Sequence, residues 1–221
     1  SRGLGDVYKR QPFHRGGEYD YLLNSNRQMD LLHKRFIVFE LDNISENRTL
    51  LPVVTIIIME TFLAKMRRLQ GLRKVLLLEE AWKAIAKEGM ASYVRYLFKT
   101  VRKYFGEAIV VTQEVEDIIS SPIVKESIIN NADCKILLDQ RKYRNKFDQI
   151  QTLLGLTDKE RAQVLSINLS NDPARRYKEV FISLGGVQSA VYATEVSDEE
   201  YLAFTTEQTL SLIHISEPTR H

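Results

Sequence analysis

Two carboxylates, Glu79 and Glu80, directly follow the apolar run at residues 75–78. Such a run predicts a buried strand, and paired carboxylates at its end can hold magnesium and activate water. A second apolar run, 108–111, leads to Gln113, whose amide can donate and accept hydrogen bonds at once. Because the chemistry of open α/β sheets lies beyond the carboxyl ends of the strands, these side chains predict a nucleotide site.

Each of these groups also has a purely structural interpretation. The carboxylates can mark the return of a strand to solvent, and Gln113 can be a surface amide that opens a helix. Arg141 follows a third apolar run, 135–138, and has Lys142 and Arg144 beside it. An arginine there could contact the phosphates of a neighbouring subunit as an arginine finger, but a solvated basic turn is the simpler interpretation.

The apolar periodicity predicts alternating strands and helices. Strands are predicted at 35–41, 75–78, 108–113, 135–138, 177–184 and 187–192, and helices at 51–69, 93–104, 124–130, 147–154 and 158–165. Alternation of this kind predicts an α/β fold with a parallel sheet. Gly185 and Gly186, between the last two strands, predict a hairpin at an antiparallel edge.

Local signals fix several helix ends. Pro52 stands in the first turn of one predicted helix and Gly71 follows it. Gly155 divides the later helical pair. The Thr157/Glu160 and Ser197/Glu200 spacings predict capping boxes. The helix over 93–104 carries a basic face for which a solvated surface and a subunit contact both remain possible: Arg95, Lys99, Arg102 and Lys103.

The sequences of both ends of the chain indicate that these ends are encoded by DNA from outside the gene. Residues 210–216 can be back-translated to a DNA sequence whose reverse complement encodes residues 6–11. That DNA resembles the transposase adapter used to build sequencing libraries. We therefore expect residues 1–11 and 210–221 to derive from the adapter, and residues 12–209 to be an internal part of a longer gene.

The charge gives no support for a polyanionic partner. The chain carries 31 basic and 29 acidic residues, and removal of the two ends takes away four basic and two acidic side chains, which leaves 27 of each. A formally neutral chain does not indicate binding to nucleic acid or to an anionic membrane. No stretch reaches the about 18 uninterrupted apolar residues of a membrane-spanning helix. The single cysteine, Cys134, allows no disulfide within the chain.

Three segments together resemble the TraG-type ATPases of conjugative transposons, which are similar to the large ATPase of type IV secretion systems. These segments are 35–42, 79–86 and 110–118, and the resemblance extends over nearly all of 12–209. It implies a RecA-like P-loop NTPase sheet flanked by helices. It also implies a homo-oligomer, near hexameric, docked on inner-membrane channel proteins at the cytoplasmic face and powering pilus assembly or DNA transfer.

In a P-loop ATPase, Glu79 would order Mg²⁺ and Glu80 would polarise the water that attacks ATP. Gln113 could hydrogen-bond both that water and the γ-phosphate, and Arg141 could reach the phosphates of a neighbouring subunit. The family usually has aspartate where Glu79 stands. The chain also contains no G-x-x-x-x-G-K-[ST] loop, which in relatives lies upstream of the Glu79 strand. We therefore expect the intact protein to hydrolyse ATP and this fragment to be inactive alone.

Two other functions remain open at this stage. A DNA-pumping translocase of the same motor superfamily would line its pore with basic loops, and the neutral core argues mildly against it. A non-catalytic assembly subunit could have kept the fold and lost the phosphate loop. The missing upstream sequence would separate this possibility from an ATPase.

Overall fold

The computed structural model describes residues 10–24, 26, 30–79, 88–113, 128–169 and 177–205. The chain divides into two compact units, Ser1–Leu72 and Arg73–His221. The first unit is helical where it is described, and all five described strands lie in the second. Of the predicted adapter-derived ends, only Arg10 and Gln11 are described, and both are exposed. The origin of the ends therefore stays a prediction.

The first unit contains a short helix, α1 (Asp20–Leu23), and a long helix, α2 (Leu50–Arg68). Single 3₁₀ turns precede each helix, at Gln11–Phe13 and Asp42–Ile44. The helix predicted over 51–69 is confirmed with a shift of one residue. Its buried side chains recur at helical spacing and form the core of this unit: Leu50, Met59, Leu63 and Met66.

The strand predicted over 35–41 is wrong. None of the five described strands pairs with this segment, and Phe36 is 87% exposed. A strand requires a neighbour that exchanges main-chain hydrogen bonds with it. The carbonyl oxygens of Leu31 and Lys34, just before the segment, instead accept hydrogen bonds from the ammonium group of Lys65 on α2. The apolar pattern alone did not determine the structure here.

The second unit begins with two parallel strands, β1 (Lys74–Glu79) and β2 (Gly106–Val111). The helix α3 (Glu88–Thr100) and a 3₁₀ helix (Val101–Tyr104) form the crossover that a parallel pair requires. The two predicted strands and the predicted helix between them are thereby confirmed. The predicted basic face of this helix is exposed: Arg95, Lys99, Arg102 and Lys103.

The strands of this parallel pair are not buried on both faces, contrary to the expectation from their continuous apolar runs. Val75 and Leu77 of β1 are 54% and 56% exposed, and Ile109 of β2 is 43% exposed. Burial alternates along each strand instead. Within the described residues the pair therefore has one covered face and one open face, because a two-stranded sheet offers little surface for helices to pack on both sides.

The remaining strands form a separate antiparallel sheet, β3 (Cys134–Leu137), β4 (Tyr177–Leu184) and β5 (Gln188–Glu195). The hairpin between β4 and β5 is confirmed, with positive φ angles at both glycines of its turn. Within the described residues the strands form two sheets rather than one, since β3 pairs antiparallel with β4 and with neither parallel strand. Leu137 thereby lies opposite Phe181, whose side chain is fully buried.

Two helices cover one face of the antiparallel sheet. They are α4 (Phe147–Leu154) and α5 (Asp158–Ser166), divided as predicted by Gly155, which ends α4 in the left-handed conformation at φ +64. The core between helices and sheet contains Phe147, Ile150, Val164, Ile167 and Phe181. Close packing in this cluster restrains the antiparallel sheet and the loops at the edge of that sheet.

The last described helix, α6 (Asp198–Phe204), begins at Ser197 with the predicted capping box. The helix predicted over 124–130 falls mostly outside the described residues, which show a 3₁₀ helix at Ile129–Asn131. Within the described ranges, no helix is both long and apolar enough to cross a membrane.

Glu160 joins helix α5 to the antiparallel sheet through a buried carboxylate. It accepts hydrogen bonds from the main-chain N–H of Thr157 at 2.9 Å and from the hydroxyl of Ser183 on β4 at 2.9 Å. The hydroxyl oxygen of Thr157 accepts in turn from the N–H of Glu160, which completes the predicted capping box. Burial favours the neutral acid, but these hydrogen bonds outweigh burial and lower the pKa of Glu160.

Glu160→Gln tests this connection. Because the pKa is lower in the folded chain than in the unfolded chain, the stabilisation is complete above the ordinary glutamate pKa and is lost as pH falls through the lowered value. We expect the substitution to reduce the free energy of unfolding by about 2 kcal/mol at neutral pH, and by less in acid. Urea unfolding at neutral and acidic pH measures both effects.

Glu200→Gln is the matched control, because Glu200 makes the same capping-box contact on the exposed helix α6. We expect a smaller loss there. Equal losses for the two variants would show that the buried contact with Ser183 adds nothing to the cap.

Candidate functional site

Glu79 and Gln113 lie at the same edge of the parallel sheet, as predicted. Glu79 is the last residue of β1 and pairs in register with Val111, the last residue of β2. Gln113 follows two residues later, and both Glu79 and Gln113 are exposed. Glu80 lies outside the described residues, so its place stays a prediction. Parallel strands end at a common edge, and this edge is where ligands bind in open α/β sheets.

Tyr143 connects this edge to the segment that follows β3. That segment is a 3₁₀ helix, Arg141–Lys146. The hydroxyl of Tyr143 donates a hydrogen bond to the main-chain carbonyl of Gln113 at 3.3 Å. Arg141 begins this short helix, two residues before Tyr143, and its own hydrogen bonds among the described residues are made to Asp139. No pattern in the sequence indicates this role for Tyr143.

Arg141 is exposed and forms an ion pair with Asp139 of the same chain. Its Nε lies 3.0 and 2.8 Å from the two carboxylate oxygens of Asp139, and its main-chain N–H donates to the same carboxylate at 3.0 Å. The hydrogen bonds from the Arg141 side chain are the main reason that the pKa of Asp139 is lowered. They likewise raise the pKa of Arg141.

Asn168 ties this ion pair to the antiparallel sheet. It lies in the turn after α5 with φ +58 and is buried. Its N–H donates to the Glu179 carboxylate at 2.7 Å, and the N–H of Glu179 on β4 donates back to the Asn168 side-chain oxygen at 3.0 Å. The side-chain amide of Asn168 also donates to Asp139, at 3.5 Å. A chain of contacts thus runs from β4 to Arg141.

Sequence reasoning missed both Asp139 and Asn168, for different reasons. Asp139 follows the apolar run 135–138 directly, which is the same signal that selects Glu79, and the same rule applied to β3 would have found it. Asn168 follows no strand. Its position depends on the tertiary contact with Glu179, which one sequence does not reveal.

Among the described residues at this edge, Glu79 is a carboxylate of the kind that binds magnesium together with a nucleotide. In the part of the chain that the structure describes, no group of three or more histidine, cysteine, aspartate or glutamate side chains could hold a metal. Magnesium, however, is commonly bound by one or two carboxylates, water and the phosphates of a substrate. Glu79 supplies one carboxylate of this kind, which suits a nucleotide-dependent ion rather than a structural one.

Comparison with known proteins identifies the family. The TraG P-loop domain matches residues 6–219 of this chain. The chain belongs to the TraG P-loop family. The confirmed α/β elements and the edge with Glu79 and Gln113 are therefore those of a member of a P-loop ATPase family.

Two relatives of this TraG-family chain are larger proteins. The type IV secretion system protein CagE of Helicobacter pylori (strain ATCC 700392 / 26695) is 28% identical over 160 residues, which is 71% of this chain and 16% of CagE. The structure of VirB4 of Thermoanaerobacter pseudethanolicus matches with a TM-score of 0.56 and 23% identity. That match covers 75% of this chain and 43% of VirB4, and at this identity it shows the fold alone.

Substitution of Asn168 tests the link between the edge and the sheet. Asn168→Ala removes the side-chain hydrogen bonds and places a Cβ-bearing residue without a polar group at φ +58. Asn168→Gly removes the same bonds but tolerates that φ. We expect both variants to be less stable than wild type, and alanine to cost about 1 kcal/mol more than glycine. Urea unfolding compares them, and wild-type stability of both variants would contradict the link.

Proposed function

We propose that residues 12–209 of this chain are the C-terminal portion of the motor domain of an ATP-hydrolysing protein in a conjugation or type IV secretion apparatus. The observation that carries the proposal is a common edge of the parallel sheet in a chain of the TraG P-loop family. At this edge Glu79 ends β1, and Gln113 follows the end of the adjacent strand β2. An acidic group and an amide placed together beyond a parallel sheet suit the binding of a nucleotide with its metal ion. The similarity to CagE supports the secretion assignment.

Each residue at the edge has a distinct role in this proposal. Glu79 would hold Mg²⁺, which when bound would neutralise charge on the ATP phosphates. Glu80 accepts a proton from the attacking water. Gln113 orients the water by hydrogen bonding, and Arg141 stabilises the negative charge that develops on the phosphates.

The separation between β2 and β3 supports the proposal that a phosphate-binding loop lies elsewhere in the protein. Near their beginnings, Arg102 forms an ion pair with Asp133 at 2.7 Å. Beyond their ends, Tyr143 contacts Gln113. The two strands therefore run in the same direction side by side, yet they do not pair in the described sheets.

Both links between β2 and β3 are made by long side chains, which reach further than the about 4.8 Å between paired strands. We infer that a further strand, absent from the described residues, lies between β2 and β3 and leads into the G-x-x-x-x-G-K-[ST] loop that the printed sequence lacks. Its phosphate-binding amides would then point to the edge that carries Glu79 and Gln113. The loop is proposed to lie upstream in the longer protein.

The assembly belongs to the same proposal. We expect the intact protein to form a homo-oligomer, near hexameric, on the cytoplasmic face of the bacterial inner membrane, where it contacts channel proteins. The exposed basic face of α3 and the following 3₁₀ helix offers one surface for a subunit or partner. DNA as a direct partner is not favoured, because residues 12–209 carry no net charge.

The ATPase prediction is tested on two proteins, this chain and the longer product of its gene. We expect the longer protein to hydrolyse ATP in the presence of Mg²⁺ and this chain alone to show no turnover. Glu80→Gln in the longer protein should lower kcat by about 10²-fold or more, because it removes the proton acceptor. Phosphate release under saturating ATP measures these rates.

Glu195→Gln is the matched control, since Glu195 is an exposed glutamate at the end of β5, away from the parallel strands. It should leave kcat unchanged. Turnover by this chain alone, or wild-type kcat for Glu80→Gln, would contradict the proposed site. A longer protein with no phosphate loop would instead indicate an assembly subunit without catalysis.

A further inference from the structure

We propose that Asp139 is a positioning residue for Arg141, held in place by Asn168, and that it orients the guanidinium for a phosphate group at the edge formed by Glu79 and Gln113. This inference rests on the proposed function and deepens it. Its basis is the chain of contacts from β4 through Asn168 and Asp139 to the arginine.

The geometry of the ion pair leaves one side of the guanidinium available. Asp139 accepts from Nε and Nη2 of Arg141, which form one edge of the planar group. Among the described residues, no hydrogen bond of Nη1 accompanies these contacts. Arginine binds phosphate through pairs of parallel N–H groups, so a carboxylate on one edge fixes the direction of the other.

Asp139 is itself restrained, which distinguishes this pair from an ordinary surface ion pair. Its side chain is 28% exposed, and it contacts both Arg141 and Asn168. Asn168 is in turn fixed by two hydrogen bonds with Glu179 on β4. The antiparallel sheet therefore restrains the position of the Asp139 carboxylate through Asn168.

The ion pair of Arg161 with Asp148 provides the contrast within the same chain. Asp148 is 79% exposed, and its partner arginine is the more buried of the two. In the Asp139 pair the order is reversed, because the carboxylate is sheltered and the arginine is 54% exposed. A sheltered carboxylate that holds an exposed arginine suits the presentation of the arginine to a ligand.

Pre-orientation of an arginine favours the transition state over the bound substrate when the arginine contacts charge that develops on the phosphate only during the reaction. A free arginine side chain must lose rotamer freedom when it meets a phosphate, and a fixed one has already lost it. Misplacement of a group by about 1 Å can cost about 10²-fold in rate. Loss of Asp139 is therefore expected to affect kcat more than the KM for ATP.

The test is a double-mutant cycle on ATP hydrolysis by the longer protein. Arg141→Ala should lower kcat by about 10³-fold, and Asp139→Asn by about 10²-fold with little change in KM. The double variant should match Arg141→Ala, because Asp139 acts only through the arginine. Arg141→Lys should stay impaired, since lysine cannot form the paired contact.

Controls separate positioning from a merely structural role. Asp148→Asn removes an equivalent carboxylate from the other ion pair and should leave kcat unchanged. Asn168→Gly keeps the Asp139 carboxylate but removes the hydrogen bonds of the Asn168 side chain to Asp139 and Glu179, and it provides a second variant if Asp139→Asn does not fold. It should lower kcat by a smaller factor than Asp139→Asn. Thermal unfolding of each variant identifies losses due to instability.

Three results would overturn the inference. They are wild-type or higher kcat for Asp139→Asn, rate losses that multiply in the double variant, and an equal loss for Asp148→Asn. If the wild-type longer protein hydrolyses ATP, none of these three results contradicts the proposed ATPase function. A wild-type longer protein with no ATP turnover would overturn the proposed function, and this inference with it.

Discussion

The parallel pairing of β1 with β2 is the constraint on which the candidate site depends. The register is fixed at the opposite end of the sheet from the site. Lys74, at the start of β1, is buried, and its ammonium group donates to the carbonyl of Tyr104 at 2.7 Å. Its N–H donates to the carbonyl of Phe105 at 3.0 Å, and Arg73 beside it forms an ion pair with Glu107. A buried ammonium group is tolerated only when it is hydrogen-bonded, so these contacts hold one alignment of the strands. A shift of one residue would separate Glu79 from the end of β2.

The antiparallel half of the unit contributes rigidity rather than chemistry of its own. Phe147 and Phe181 are fully buried between helices and sheet, and the carboxylate of Glu160 links α5 to β4. Such close packing leaves side chains few alternative positions. The 3₁₀ helix with Arg141 follows β3 after three residues, so this rigidity reaches the edge of the parallel sheet through Tyr143. The parallel sheet thereby holds Glu79 and Gln113, and the antiparallel sheet holds Arg141.

The predictions that were confirmed depend on neighbours in sequence, and those that were wrong depend on neighbours in space. Gly155, the capping box at Thr157 and the glycine turn of the hairpin each follow from one or two residues and the backbone angles they permit. The strand predicted over 35–41 and the sheet partner of β3 require knowledge of which strand lies alongside. An apolar run carries no information on its partner, because any strand can supply the same main-chain hydrogen bonds.

The same distinction explains which site residues the sequence could reveal. Glu79 and Gln113 follow apolar runs, and a rule about strand ends finds them without tertiary information. The contact between Tyr143 and Gln113 uses a main-chain carbonyl, which every residue possesses, so no side-chain pattern indicates it. Gln113 lies two residues beyond β2, whose last residue, Val111, pairs with Glu79, so its place at this edge follows from the parallel register of the two strands.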